Sequence, residues 1–292
     1  MTRILALLLA VSFAASFPST ARAAPDGGFS RYVLAAVEML KNGNRAGLGY
    51  GDFAFTEDLT FGDNGILKAS TSQPLTMCVA AQLEVLVEAL NIFAAETGDS
   101  SPFRFLPKVF WERLRPMDLR GMIWIVKDSG STGAAYALEH FGMGHTLPFK
   151  DMFPGAFINF NRTNRSGHAG VFLGFLDKAG NDLASYSSAV AGFKYFSSQG
   201  KGKPKPISGL GMRWAFFDDA GCPNLSNGRL RDCGIIRSER NGYLAGGYVA
   251  MPTDWDQNRA NAAVLTNNNA TDPKLTTEGT FDALFFTGET TD

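Results

Sequence analysis

The sequence predicts an α+β fold in which a helix that begins with a cysteine packs on an antiparallel β-sheet, with a helical insertion between the two. Three observations predict it. Phe29, Val33, Ala36, Val37 and Leu40, and later Val79, Leu83, Leu86, Val87 and Leu90, recur at the spacing of one helix face. From Pro154 onward, short apolar runs alternate with turns rich in Gly, Asn and Ser, the pattern of a strand meander. The 32 glycines among 292 residues favour strands and tight turns over a helical bundle.

The first residues stand apart from this pattern. Arg3 precedes a short apolar run from Ile4 to Ala15, and Ala21-Arg22-Ala23 follows. A charge, an apolar stretch and an A-x-A site are the three parts of a secretory leader. Cleavage is expected after Ala23, giving an exported protein, secreted or periplasmic. The run is shorter than the roughly 20 residues a membrane-spanning helix needs. No later segment reads as a membrane span, so no membrane partner is expected once the leader is removed. A formal net charge of −1 gives no reason to expect a nucleic-acid partner.

Along the rest of the chain, the first helix is expected to end at Gly43. Residues 47–72 are rich in glycine and aromatic residues and read as short strands or an ordered loop. Pro74 cannot sit inside the next helix, and Thr76 is a candidate N-cap, which puts Cys78 in the first helical turn. The block from Phe103 to His140 reads as helical in pieces, with a helix from Gly133 to His140 closed by Gly142. Strands are expected over 156–160, 168–176, 193–199, 210–217 and 243–251, and a polar turn over 161–167. After Asp254 the chain is rich in Asn, Thr, Ala and Asp and reads as a loose tail.

There are 3 cysteines, Cys78, Cys222 and Cys233. Cys222 and Cys233 flank a polar, loop-like segment, and export would favour a disulfide that closes it. The histidines do not stand at ligand spacing, so no metal and no cofactor are expected. Cys78 is then the odd thiol. It is either a small buried apolar residue or a reactive one. Its place at a helix start favours reactivity. The positive end of the helix dipole stabilises a thiolate, and the first-turn N–H groups can bind an oxyanion.

A nucleophile needs a base. Of His140, His145 and His168, the first ends a helix and the second sits in an expected loop. His168 opens an apolar strand directly after a polar turn. A residue that fixes the imidazole tautomer completes such a site. Tyr195, Ser197 and Gln199 share one face of the following strand, and either Ser197 or Gln199 can accept a hydrogen bond from the ring.

These residues, in this order, resemble the NlpC-type and CHAP-type papain-like cell-wall cysteine peptidases. The likeness rests on the helix-borne Cys78, the strand Gly167-His168-Ala169-Gly170-Val171-Phe172-Leu173-Gly174, a polar third position on the next strand, and the Pro154-Gly155 turn. That turn continues in Ala156, where the superfamily commonly has Asp. The resemblance covers roughly Pro74 to Gln199. It implies a papain-like domain over 24–254 followed by a polar segment over 255–292. It also implies metal-free hydrolysis of an amide bond in or near a peptidoglycan stem peptide. Cys78 would be the nucleophile, His168 the base, and Ser197 or Gln199 the third residue. Two other functions fit the same residues: a non-catalytic exported binding protein, and a thiol acyltransferase.

Overall fold

The computed structural model describes residues 28–42, 55–62, 65–67, 76–105, 133–200, 207–226 and 228–268. The expected leader, the Gly43 helix end, Pro74 and most of the expected helical insertion lie outside these residues.

The first described element is helix α1 (Ser30–Asn42), which buries Tyr32, Val33, Ala36, Val37 and Leu40. A two-stranded ribbon follows, β1 (Leu59–Thr60) and β2 (Ile66–Leu67). Helix α2 (Cys78–Thr97) comes next, then the short α3 (Pro102–Phe105) and α4 (Gly133–His140). The strands are β3 (Gly144–Leu147), β4 (Phe157–Asn161), β5 (Gly167–Leu176), β6 (Asp182–Leu183), β7 (Gly192–Gln199), β8 (Gly209–Phe217), β9 (Arg231–Ile235) and β10 (Leu244–Val249). Helix α5 (Gln257–Asn268) follows them.

These eight strands form one sheet in the order β3-β10-β4-β5-β7-β8-β9, with β6 paired to β5. Every pairing is antiparallel except β8 with β9. The protein is therefore mixed α+β with a large, mostly antiparallel sheet.

Both faces of the sheet are covered. Phe157, Ala169, Val171 and Phe196 join α1 and α2 in one apolar cluster. Their sequence neighbours Ile158, Phe160, Phe172, Phe193 and Tyr195 point the other way, by the two-residue alternation of a strand. They join Phe149, Phe217, Ile235 and Leu244 in a second cluster. A strand buried on both faces reads as a nearly continuous apolar run, which is what β5 shows.

Helix α2 is the spine of the first cluster. Among its buried residues are the polar Gln82, Glu84 and Glu88. Glu84 is wholly buried and accepts bonds from the Thr56 backbone N–H, at 2.9 Å, and from the Thr56 hydroxyl. Gly98 closes the helix in the left-handed conformation, and its N–H donates to Ala94 O. With 20 residues and a mean hydropathy of 1.6, α2 has the length and composition of a membrane span, which corrects the sequence expectation; 78% of that window is buried inside the protein. Its apolar character is that of a core helix.

Other expectations are also corrected. The N-cap of α2 is Met77, not Thr76, whose hydroxyl donates to Met77 O at 3.4 Å. His145 lies in β3 rather than a loop, because that segment pairs with β10. Residues 257–268 form a helix, not a loose tail, and bury Ala260 and Ala263 in the first cluster. Gly142 closes α4 as expected, with φ 69° and its N–H on Glu139 O.

Cys222 and Cys233 form a disulfide across a sequence separation of 11. Cys233 lies in β9, so the bridge pins the edge strand rather than closing a free loop. The bond fits an oxidising compartment. Replacing both cysteines by serine should lower unfolding stability by about 2–3 kcal/mol on loop-closure grounds, read from urea denaturation.

Candidate functional site

Cys78 is the first residue of α2. The first intrahelical bond runs from Ala81 N–H to Met77 O, so the N–H groups of Cys78, Val79 and Ala80 precede the helix ladder. Cys78 is 0% exposed and lies in the helix-side cluster; its thiol takes no part in the disulfide.

The helix start is fastened to the end of β7. Ser198 Oγ donates to Thr76 O at 2.6 Å. Gln82 Nε2 donates to Cys78 O at 3.2 Å and to Ser197 Oγ at 3.4 Å. Ser197 Oγ in turn donates to Ala169 O at 2.6 Å, one residue from His168. Ser197 therefore joins α2, β5 and β7.

His168, also 0% exposed, lies near the start of β5. Its ring packs edge-to-face on Phe160 and on Tyr195, each at 5.4 Å between centroids. Its Nε2 lies 3.4 Å from Gln199 Oε1. Gln199 Nε2 donates to Gly211 O at 3.0 Å, which fixes the amide with its oxygen toward the imidazole. A carbonyl oxygen only accepts, so this contact assigns the proton to His168 Nε2 and the lone pair to Nδ1. The 3.4 Å separation is longer than an optimal bond. Of the two candidates for the third position, Gln199 contacts the ring, while the Ser197 hydroxyl is committed to Ala169.

The structure thus brings His168 together with Gln199, and Cys78 together with Ser197 through Gln82. It places the two pairs at the same end of β5 and β7 but in different clusters. Ala169 faces the helix, so His168, one residue earlier, faces the other side. The neighbouring Gly170 has no room for a side chain, since a Cβ there would lie 2.8 Å from the Tyr195 ring.

Sequence reasoning missed the groups behind His168. Arg162 and Asp232 form a bidentate pair, Nε to Oδ1 and Nη2 to Oδ2, both at 2.6 Å. Tyr195 Oη donates to Asp232 Oδ2 at 2.7 Å. In the sequence Asp232 lies in a polar, loop-like segment, and nothing in the spacing of residues 70 apart links it to Arg162. Burial by itself would raise the Asp232 pKa. The Arg162 charge and its hydrogen bonds, the nearby His168 and the Tyr195 hydroxyl outweigh burial and hold it below the ordinary aspartate value.

The other histidines are placed differently. His140 ends α4, and burial, followed by the Arg259 charge, lowers its pKa. His145 lies beside Tyr248, with 5.6 Å between ring centroids. A groove of about 600 Å³ lies at the far end of β5, lined by residues that include Phe172, Gly174, Tyr186 and Lys194; none of Cys78, His168, Ser197 and Gln199 lines it.

Comparison with protein-family models, with curated proteins and with solved structures finds no match. Among the described residues, no group of three or more His, Cys, Asp or Glu could hold a metal ion.

The depressed Asp232 pKa sets a direction for stability. A carboxylate that is more acidic folded than unfolded stabilises the fold above its unfolded pKa, and that stability is lost as pH falls through the folded pKa. Urea midpoints should therefore fall on acidification below about pH 4, and this acid loss should shrink in Arg162→Met. At pH 7, Arg162→Met should cost about 3–5 kcal/mol, because it leaves the buried Asp232 carboxylate without its cation.

Proposed function

We propose that this protein is an exported cysteine hydrolase that cleaves an amide bond in or near a peptidoglycan stem peptide, with Cys78 as nucleophile, His168 as base and Gln199 as its orienter. The observation that carries the reading is the chain from His168 Nε2 to Gln199 Oε1, and from Gln199 Nε2 to Gly211 O. An imidazole held this way keeps its basic lone pair on Nδ1, the state a general base needs. The second support is the cysteine at the first position of a long helix, where the dipole and first-turn N–H groups favour a thiolate. The substrate class rests on the resemblance of the Cys78, His168 and Pro154-Gly155 segments to cell-wall peptidases.

In this mechanism His168 Nδ1 takes the Cys78 proton, and the thiolate attacks the amide carbonyl carbon. The tetrahedral oxyanion is held by N–H groups of the first turn of α2. The imidazolium gives its proton to the leaving amine, and a thioester forms. His168 then takes a proton from water, and hydroxide releases the acid product and returns the thiol. The step requires the thiol and the ring, which lie on opposite sides of the sheet at the start of β5, to come within hydrogen-bond reach of each other.

A second reading has its own observation. Cys78 and His168 are both 0% exposed, as residues of a purely structural seam would be. On that reading the protein is an exported binding protein on the same scaffold, holding wall fragments without turning them over.

Digestion of purified peptidoglycan, followed by mass spectrometry of the soluble products, separates the two. The hydrolase reading expects stem-peptide fragments from the wild type. It expects no turnover from Cys78→Ser and a loss of at least about 100-fold from His168→Ala, with Gln199→Ala between these and the wild type. Fragments produced equally by Cys78→Ser would contradict the assignment, and binding without products would establish the second reading.

A further inference from the structure

We propose that Asp232, clamped by Arg162 and Tyr195, is a positioning residue that supplies the counter-charge for the His168 imidazolium. The proposal rests on the hydrolase reading for its role in turnover, but its physical content stands on the buried cluster itself.

The cluster is built from four strands and a turn. Arg162 opens the turn between β4 and β5, bonds Ser166 O through its own N–H, and forms a bridge with Ile235 at the end of β9. Thr163 N–H donates to Gly234 O, so the same turn is sewn to β9 on both sides of Arg162. This sewing holds β9 so that the Asp232 carboxylate meets the Tyr195 hydroxyl at 2.7 Å, on the ring that packs against His168. The Arg162 guanidinium lies 5.4 Å over the Phe160 ring, and Phe160 and Tyr195 are the two rings that hold His168. The carboxylate, the tyrosine hydroxyl, the two rings and the imidazole therefore form one contiguous buried unit.

Among the described residues, the charged and titratable groups near the ring are few. Arg162 approaches from the β4 side, Asp232 from β9 and Tyr195 from β7. Arg213 of β8 is the cross-strand neighbour of Tyr195, and it spends its guanidinium on the carbonyls of Met212 and Ile207. Cys78 lies on the helix side. Asp232 is the one anion in this set at neutral pH apart from a Cys78 thiolate. A buried imidazolium is unfavourable without a nearby negative charge. Arg162 cannot help it directly, being a cation; what Arg162 does is keep the carboxylate ionised and fixed. Tyr195 ties that carboxylate to the ring that packs on His168. The unit thus favours a protonated His168 at the moment the leaving amine needs a proton.

Asp232→Asn keeps the shape and removes the charge. Tyr195→Phe keeps the ring and loosens the carboxylate, and it serves where Asp232→Asn fails to fold. The measurement is the pH titration of the His168 ring by NMR in ¹⁵N-histidine-labelled protein, with the signal assigned by its loss in His168→Gln. Proton binding at His168 should weaken at least about tenfold in Asp232→Asn, and in the same direction but less in Tyr195→Phe. The acid limb of the kcat/KM profile, which reports loss of the neutral base, should move to lower pH by a matching amount. An unchanged midpoint in the folded variants would overturn the proposal. So would a wild-type ring that stays neutral down to pH 4. Absence of turnover in the wild type would count against the hydrolase reading alone, since the ring titration is read without substrate.

Discussion

The buried start of α2 is the constraint on which the rest of the structure depends. A helix this apolar has to sit in the core, and the chain that enters it brings backbone carbonyls that need donors there. The end of β7 supplies polar partners at that point. Ser198 takes the carbonyl of Thr76, and Ser197, linked through Gln82 to Cys78, ties the same corner to Ala169 of β5. The run Ser197-Ser198-Gln199 is wholly buried for this reason, although a polar strand end would ordinarily face water. Three consecutive residues serve two purposes: two join the helix to the sheet, and the third reaches the imidazole.

A second buried polar unit lies on the opposite face of the same strands. There the Arg162–Asp232 pair replaces the usual apolar packing between the β4–β5 turn and β9. Such a pair adds little to stability compared with well-packed apolar side chains, but it is costly to break. Its value lies in fixing one geometry: it holds Tyr195, and Tyr195 with Phe160 holds the ring of His168. The disulfide at Cys233, next to Asp232, restrains the edge strand that carries the carboxylate. The disulfide and the charged cluster thus converge on the same strand.

The elements whose periodicity comes from burial were legible in the sequence. The helices α1 and α2 and the strands β4, β5, β7, β8 and β10 each announce themselves by apolar spacing and by flanking turns. The pairing of Cys222 with Cys233 followed from a polar segment between two cysteines. What could not be read came from long-range pairing. β3 and β9 are short and polar, and they exist because β10 and β8 offer them partners. Helix α5 has a weak periodicity and is held by the few alanines it buries. At the site, His168 and Gln199 were legible from strand alternation, and the pairing of β5 with β7 brings the two side chains to 3.4 Å. Asp232 was not, because a polar residue beside a loop cysteine carries no local sign of being buried. The face on which His168 lies was not legible either. Its place relative to Cys78 depends on which side of the sheet α2 covers, and alternation alone does not say which.

The proposed hydrolysis requires Cys78 to be an activated thiolate and not a small apolar core residue. The most direct measurement is the rate of Cys78 alkylation by iodoacetamide in the folded protein across pH, followed by mass spectrometry. An activated Cys78 should be labelled well below the free-thiol pKa of about 8.5, with Cys222 and Cys233 silent in their disulfide. Labelling that appears only when the protein is denatured would contradict it and leave Cys78 as a structural residue of the core.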